Sequence, residues 1–330
     1  MQNASNQTAE VLGSGDMKFV ATPGWAQLPE GWKFHNVAGI AIDSKDNVFV
    51  FDRGPHPVIV FDKDGNFLRS WGDGQFVRPH AITIAPDDTV WLTDDANHIV
   101  QHCTADGKLL LTLGVPGSPA PYASGRPFNR CTHTAFSPEG DLYVSDGYGN
   151  ACVHKYTPDG RLLLSWGKPG TMPGEFNVPH NITCDGDGWV YVADRENHRV
   201  QIFDGNGRFE TQWNNLHKPC GMYMRPGRCP HCYIAEAGPH HMGVNRELPN
   251  IGPRVSILSS KGELLSRFGH RLSDEPSTGS FLGLHSIAVD SRGVMFVADL
   301  AEQTWKRHWP DRPPPPDLIS LHRFAPVTDA

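Results

Sequence analysis

The stretch FNVPHNITCDGDGWVYVADRENHRVQIF, from Phe176 to Phe203, decides the fold. Its apolar residues alternate with polar ones around Asp/Gly turns, the pattern of antiparallel strands that each bury one face. Two features do not serve strand pairing. Pro179, at the entry of the first strand, has no amide hydrogen to give a ladder, and His180 follows it. Arg195 stands just after the second apolar run.

The same pattern recurs along the chain. GIAIDSKDNVFVFDRGPHPVIVFDKDGNFLRSWG begins at Gly39, HAITIAPDDTVWLTDDANHIVQHCTADGKLLLTLG at His80, and THTAFSPEGDLYVSDGYGNACVHKYTPDGRLLLSWG at Thr132. The opening stretch continues as a fourth copy from His180. A divergent fifth copy runs from Cys220 to Gly269, and a sixth starts at His285. Each copy reads as a four-stranded meander, which cannot bury both of its faces alone. Stacked radially, six meanders can, and a period of roughly 40–50 residues suits a propeller blade. The expected fold is all-β: a six-bladed β-propeller with four-stranded antiparallel blades. Residues 1–16 are expected as a tail and 17–330 as one domain. The sixth copy lacks a clean outer strand, so Met17–Trp25 or the ISLHRF segment is expected to close the ring there.

Composition excludes several function classes. A net charge of −7 without a Lys/Arg block argues against nucleic acid or an anionic membrane as partner. No apolar run approaches the roughly 18 residues of a membrane span. The start shows no signal-peptide pattern, and seven cysteines, an odd number, do not read as a disulfide framework. A cytoplasmic, reducing setting is expected.

Aligning the copies on the Asp that ends each second strand (Asp52, Asp94, Asp146, Asp194, Asp299) exposes a register. Fourteen residues earlier stand Ala38, His80, Thr132, His180 and His285, with Cys220 in the fifth copy. Histidine thus occupies every second blade, at the mouth of the channel, about 120° apart. Three neutral imidazoles with an open position are the ligand set of a catalytic Zn²⁺ or another divalent transition metal. His133, one residue past the register, faces the other way and is expected to pack or hydrogen-bond. Residues just after the anchoring Asp look at the same mouth: Arg53, Tyr148 and Arg195 among them. Arginine clamps carboxylates in bidentate fashion, and a tyrosine beside a cation can serve as a base. A small carboxylate-bearing molecule is the expected partner. Glu236 is the fifth-copy counterpart of the Asp anchors; it, His240 and His241 are expected near the substrate. Cys229-Pro-His-Cys232 lacks the strand-to-helix setting of a redox pair and reads as buried thiols or, with Cys220, a small metal site.

The motifs RPHAI, SDGYGN, VPHNI, ADREN, DRG and GLHSI, in these blade positions, resemble the peptidyl-α-hydroxyglycine α-amidating lyase family of NHL-type propellers. The resemblance covers about residues 35–308. It implies His80, His180 and His285 as zinc ligands, Tyr148 as catalytic base, and Arg53 and Arg195 as partners of the substrate's carboxylate and oxygens. It implies cleavage of an N-acyl-α-hydroxyglycine to an amide and glyoxylate. The chain departs from the family at Gly283-Leu284, where the family has Met-Pro, and at Gly149, where it has a disulfide cysteine. Ser286 replaces an Asp that holds a structural Ca²⁺ with two backbone carbonyls, here those of Ile40 and Ile82, so calcium is not expected. Two other readings stay open: a metal-dependent hydratase or hydrolase on another small metabolite, and a non-enzymatic binding propeller.

Overall fold

A computed structural model describes residues 10–225, 230–238, 251–269 and 279–327. Six antiparallel sheets stand around one axis, each built from an inner strand outward. Five have four consecutive strands, as the repeat requires; blade four, for example, runs Pro179–Cys184, Val190–Asp194, Arg199–Phe203 and Phe209–Trp213. The sixth sheet has five strands, in the order Val11–Ser14, Met17–Ala21, Leu321–Pro326, Met295–Asp299, Leu284–Val289. Both chain ends therefore enter one blade, with Phe19 opposite Pro326 and Ala21 opposite Phe324. Val11–Ser14, which the sequence reading put in a tail, is the outermost strand of that sheet.

The apolar core lies between blades. One cluster fills each gap between neighbours; Tyr143 and Val153 of blade three, for instance, meet Ile182, Val190 and Phe203 of blade four. Alternation supplies an apolar face to each side of a sheet, and only a neighbour on both sides buries them. Each fully buried side chain of this size contributes about 1.5–3 kcal/mol.

The Asp anchors fasten the blades. Asp194 Oδ1 accepts the Asn177 amide at 2.6 Å, and Asp94 accepts those of Val77 (2.7 Å) and Arg78 (2.9 Å). Asp52, Asp146 and Asp299 do the same for Asn36, Asn129 and Leu282. Each carboxylate thus pins the loop entering its blade to the end of the second strand, and all five are at most 1% exposed.

Beyond the repeat, the helix Ala301–His308 fills the turn between the second and third strands of blade six. Ala301, Thr304 and Trp305 are buried, and the last turn carries Lys306, Arg307 and His308, which suit the negative end of a helix. The period-2 reading of the sequence did not find this helix.

Candidate active site

The inner strands enter with a bulge at the register position. In blade four Pro179 pairs with Asp194 and Asn181 with Ala193, leaving His180 as the extra residue. The same shift occurs at His80, His285, Ala38 and Cys220. A bulge frees one residue from the ladder and re-aims its side chain. That answers the oddity of Pro179-His180: the ladder is interrupted there to turn an imidazole onto the axis.

His80, His180 and His285 converge, with ring centroids 4.7–4.8 Å apart. Their ligand-type nitrogens lie within 4.8 Å of one another, and all three residues are buried. The odd blades fix their tautomers. His80 Nδ1 donates to Thr132 O (2.6 Å), His180 Nδ1 to Cys220 O (2.8 Å) and His285 Nδ1 to Ala38 O (2.6 Å). A neutral imidazole with its proton on Nδ1 has a bare lone pair on Nε2. Three lone pairs therefore face one point. The Tyr148 hydroxyl stands 3.0 Å from Nε2 of both His80 and His180 but has one proton for the two. His285 Nε2 is buried without a hydrogen-bond partner. Such an excess of acceptors is costly unless a cation meets it. Burial, then the neighbouring imidazoles, arginines or both, hold all three pKa values well below the usual histidine range, keeping the rings neutral for a metal. The residues fit a divalent metal ion.

Above the histidines lies a cavity of about 490 Å³, reached by Arg53, Tyr148 and Arg195. Arg195 Nη1 is 3.4 Å from the Tyr148 hydroxyl, and its Nε pairs with Glu196 at 2.9 Å. Arg53 Nε donates to Pro79 O, and its Nη1 to Gln303 Oε1, each at 2.9 Å. Burial, then the charge of Arg78, lowers the pKa of Arg53. Of the three histidines His285 lines this cavity beside the tyrosine and the arginines, while His80 and His180 adjoin it through the Tyr148 hydroxyl.

Other expected residues lie elsewhere. Glu236 is wholly buried away from the pocket and serves as the blade-five anchor. It pairs with Arg254 at 2.8 Å and accepts hydrogen bonds from the His217 amide and Ser256. His240, His241 and Cys229 fall outside the described residues. Cys232 is buried in the core between blades four and five, while Cys220 lines the pocket, its thiol pushed up to about 11 by burial. The six described cysteines are free. His133 lines a separate opening at the other end of the axis.

The departures from the family have local reasons. A Cβ at Gly149 would run into the Asn129 side chain, and one at Gly283 into Thr304 of the helix. Both glycines admit a close neighbour. The Ser286 hydroxyl accepts the Ile40 amide at 3.2 Å, so a hydrogen bond occupies the position where the family has its charged ligand.

Several pocket residues escaped the sequence reading: Arg78, Lys218 and, from the helix, Gln303, Thr304 and Arg307. Arg130 joins them over the Tyr148 ring, 4.6 Å from its centroid. Arg78, Arg130 and Lys218 share a register two residues before His80, Thr132 and Cys220, a signal present in the repeat alignment.

Comparisons with known proteins bear on this arrangement. The NHL repeat family matches residues 176–203. Peptidyl-alpha-hydroxyglycine alpha-amidating lyase 1 of Drosophila melanogaster is 34% identical over 254 residues, covering 72% of this chain and 45% of that protein. Human NHL repeat-containing protein 3 is 34% identical over 58% of each chain. Peptidyl-glycine alpha-amidating monooxygenase B of Xenopus laevis is 28% identical over 93% of this chain and 37% of its own length. The chain spans between 37% and 58% of the length of these relatives. Among solved structures, a Xanthomonas campestris gluconolactonase superposes with a TM-score of 0.59 at 14% identity, covering 94% of this chain and 90% of that one. A streptogramin B lyase gives 0.56 at 11%, covering 89% and 94%. At such identities these two show the fold alone.

Proposed function

We propose that this chain, a homologue of proteins named peptidyl-α-hydroxyglycine α-amidating lyase, is a metal-dependent carbon–nitrogen lyase. Its substrate is an N-acyl-α-hydroxyglycine or similar carbinolamide, and its products are an amide and glyoxylate. The observation that carries the reading is the Tyr148 hydroxyl, 3.0 Å from Nε2 of both His80 and His180. A base candidate stands at the open side of a three-histidine site.

His80, His180 and His285 would hold Zn²⁺ or another divalent transition metal, which when bound would polarise the substrate hydroxyl and make it more acidic. Tyr148, acting as a phenolate after its own proton has left to solvent, takes the hydroxyl proton. The electrons of that O–H bond form the C=O of glyoxylate as the C–N bond breaks, and the proton passes from Tyr148 to the departing amide nitrogen. Arg53 and Arg195 hold the carboxylate and the oxygens on which charge develops. The buried floor of the pocket keeps the proton between Tyr148 and substrate rather than releasing it to water.

The test is glyoxylate release from N-acyl-α-hydroxyglycines by metal-loaded protein. Activity that survives both chelation and Tyr148→Phe would falsify the mechanism. Stoichiometric metal binding separates it from a non-enzymatic propeller. Turnover of simple amides or hydroxy acids in place of carbinolamides points instead to hydratase or hydrolase chemistry.

A further inference from the structure

The pocket holds more positive charge than one carboxylate requires. On one wall, from blades one and two, Arg53 donates to the carbonyl of Pro79, the neighbour of Arg78. On the wall across the axis, from blades four and five, Arg195 and Lys218 share Glu196, each at 2.9 Å. Asp95, wholly buried, pairs with Arg78 at 2.7 Å and with Arg130 at 2.9 Å. Among the described residues, the five cations Arg53, Arg78, Arg130, Arg195 and Lys218 therefore meet the two carboxylates of Asp95 and Glu196, an excess of three.

Lys218 decides the argument. Its side chain is only 12% exposed, so its ammonium is largely withdrawn from water, which is costly without compensation. Glu196 is shared with Arg195 and neutralises only one of the two.

Resting on the lyase reading, we propose that the substrate is a dianion: an α-hydroxyglycine whose N-acyl group ends in its own carboxylate. One anion lies on the Arg53–Arg78 wall and the other on the Arg195–Lys218 wall, flanking the carbon that reacts between them. Arg78 and Lys218 are specificity residues. A neutral acyl group would leave one wall uncompensated, whereas a dicarboxylate matches both. The cavity of about 490 Å³ admits a short chain between the two charges.

The test pairs turnover with binding. Metal-loaded protein is given N-succinyl- and N-acetyl-α-hydroxyglycine, and separately titrated calorimetrically with succinate, glutarate and acetate at low salt. The dianionic substrate is expected to have a kcat/KM at least tenfold higher, expressed mainly in KM. Lys218→Met and Arg78→Met are expected to remove most of that ratio, and Lys218→Arg to restore it. Metal content and melting temperature of each variant establish that it is folded. Equal handling of the one- and two-carboxylate compounds in both measurements overturns the proposal, as does a preference that Lys218→Met and Arg78→Met both leave unchanged. If neither substrate yields glyoxylate but succinate or glutarate still binds at least tenfold more tightly than acetate, dependent on Lys218, the lyase reading falls and the paired anion walls stand.

Discussion

At the register where blade four places His180, blade three places Thr132, and the two do opposite work. Blade four interrupts its ladder to bring a ring nitrogen to the axis. Blade three offers a backbone carbonyl, Thr132 O, which takes the Nδ1 proton of His80. Ala38 and Cys220 do the same for His285 and His180. The alternation divides labour: even blades supply the imidazoles, and odd blades set their tautomers by main chain alone. Side-chain identity at this register is therefore stringent in even blades and lax in odd ones.

The sharpest way to break that comparison is substitution on both sides. His180→Ala should lose the metal ion and lower activity by about 10³-fold or more, whereas Thr132→Val should keep both, because its carbonyl remains. Metal analysis and glyoxylate assays on the pair would check this, and equal loss in the two would refute the division.

Tyr148→Phe isolates the base from the ligands. Metal content should stay near one ion per chain while kcat falls about 10²–10⁴-fold with little change in KM. A normal kcat would remove the tyrosine from the chemistry.

The anchors should behave as stability residues. Asp194→Ala leaves the buried Arg199 guanidinium without the carboxylate it meets at 2.8 Å and the Asn177 amide without its acceptor, for a cost of about 3–5 kcal/mol. Thr132→Val should cost about 1 kcal/mol through its lost hydrogen bond to Pro179 O. Urea midpoints at pH 7 rank the two.

The smallest effect concerns pH. Burial lowers His133 from 6.5 to about 4; burial and then His198 lower His217 likewise. The unfolded chain takes up these protons near 6.5, while the fold resists until about 4. Stability is then full above 6.5 and falls as pH drops toward 4. His133→Gln should flatten the decline of the urea midpoint between pH 7 and 5.

Much of the site was legible because a propeller repeats its geometry: one alignment of Asp anchors placed His80, His180, His285, Tyr148, Arg53 and Arg195 at one mouth. Three things were not. The bulge at His180 is a backbone event with no fixed residue signature beyond the preceding Pro179. The helix Ala301–His308 interrupts the repeat on which the reading relied. Glu236 aligned with the Asp anchors, as the structure has it, but the alignment could not show that a buried anchor paired with Arg254 has no face left for substrate. Arg78, Arg130 and Lys218 share one register of the repeat, but a basic residue at a strand entry carries no sign of which way its side chain turns.

The third histidine of the cluster, His285, lies on blade six, a sheet whose outer strands come from opposite ends of the chain, Met17–Ala21 beside Leu321–Pro326. Such a seam joins residues about 300 positions apart, and contacts of that separation form late. Uptake of the proposed cation would thus gauge circumferential integrity, since loosening the seam should displace His285 before the hydrogen-bond ladders of the other five sheets, each formed from one stretch of chain, come apart.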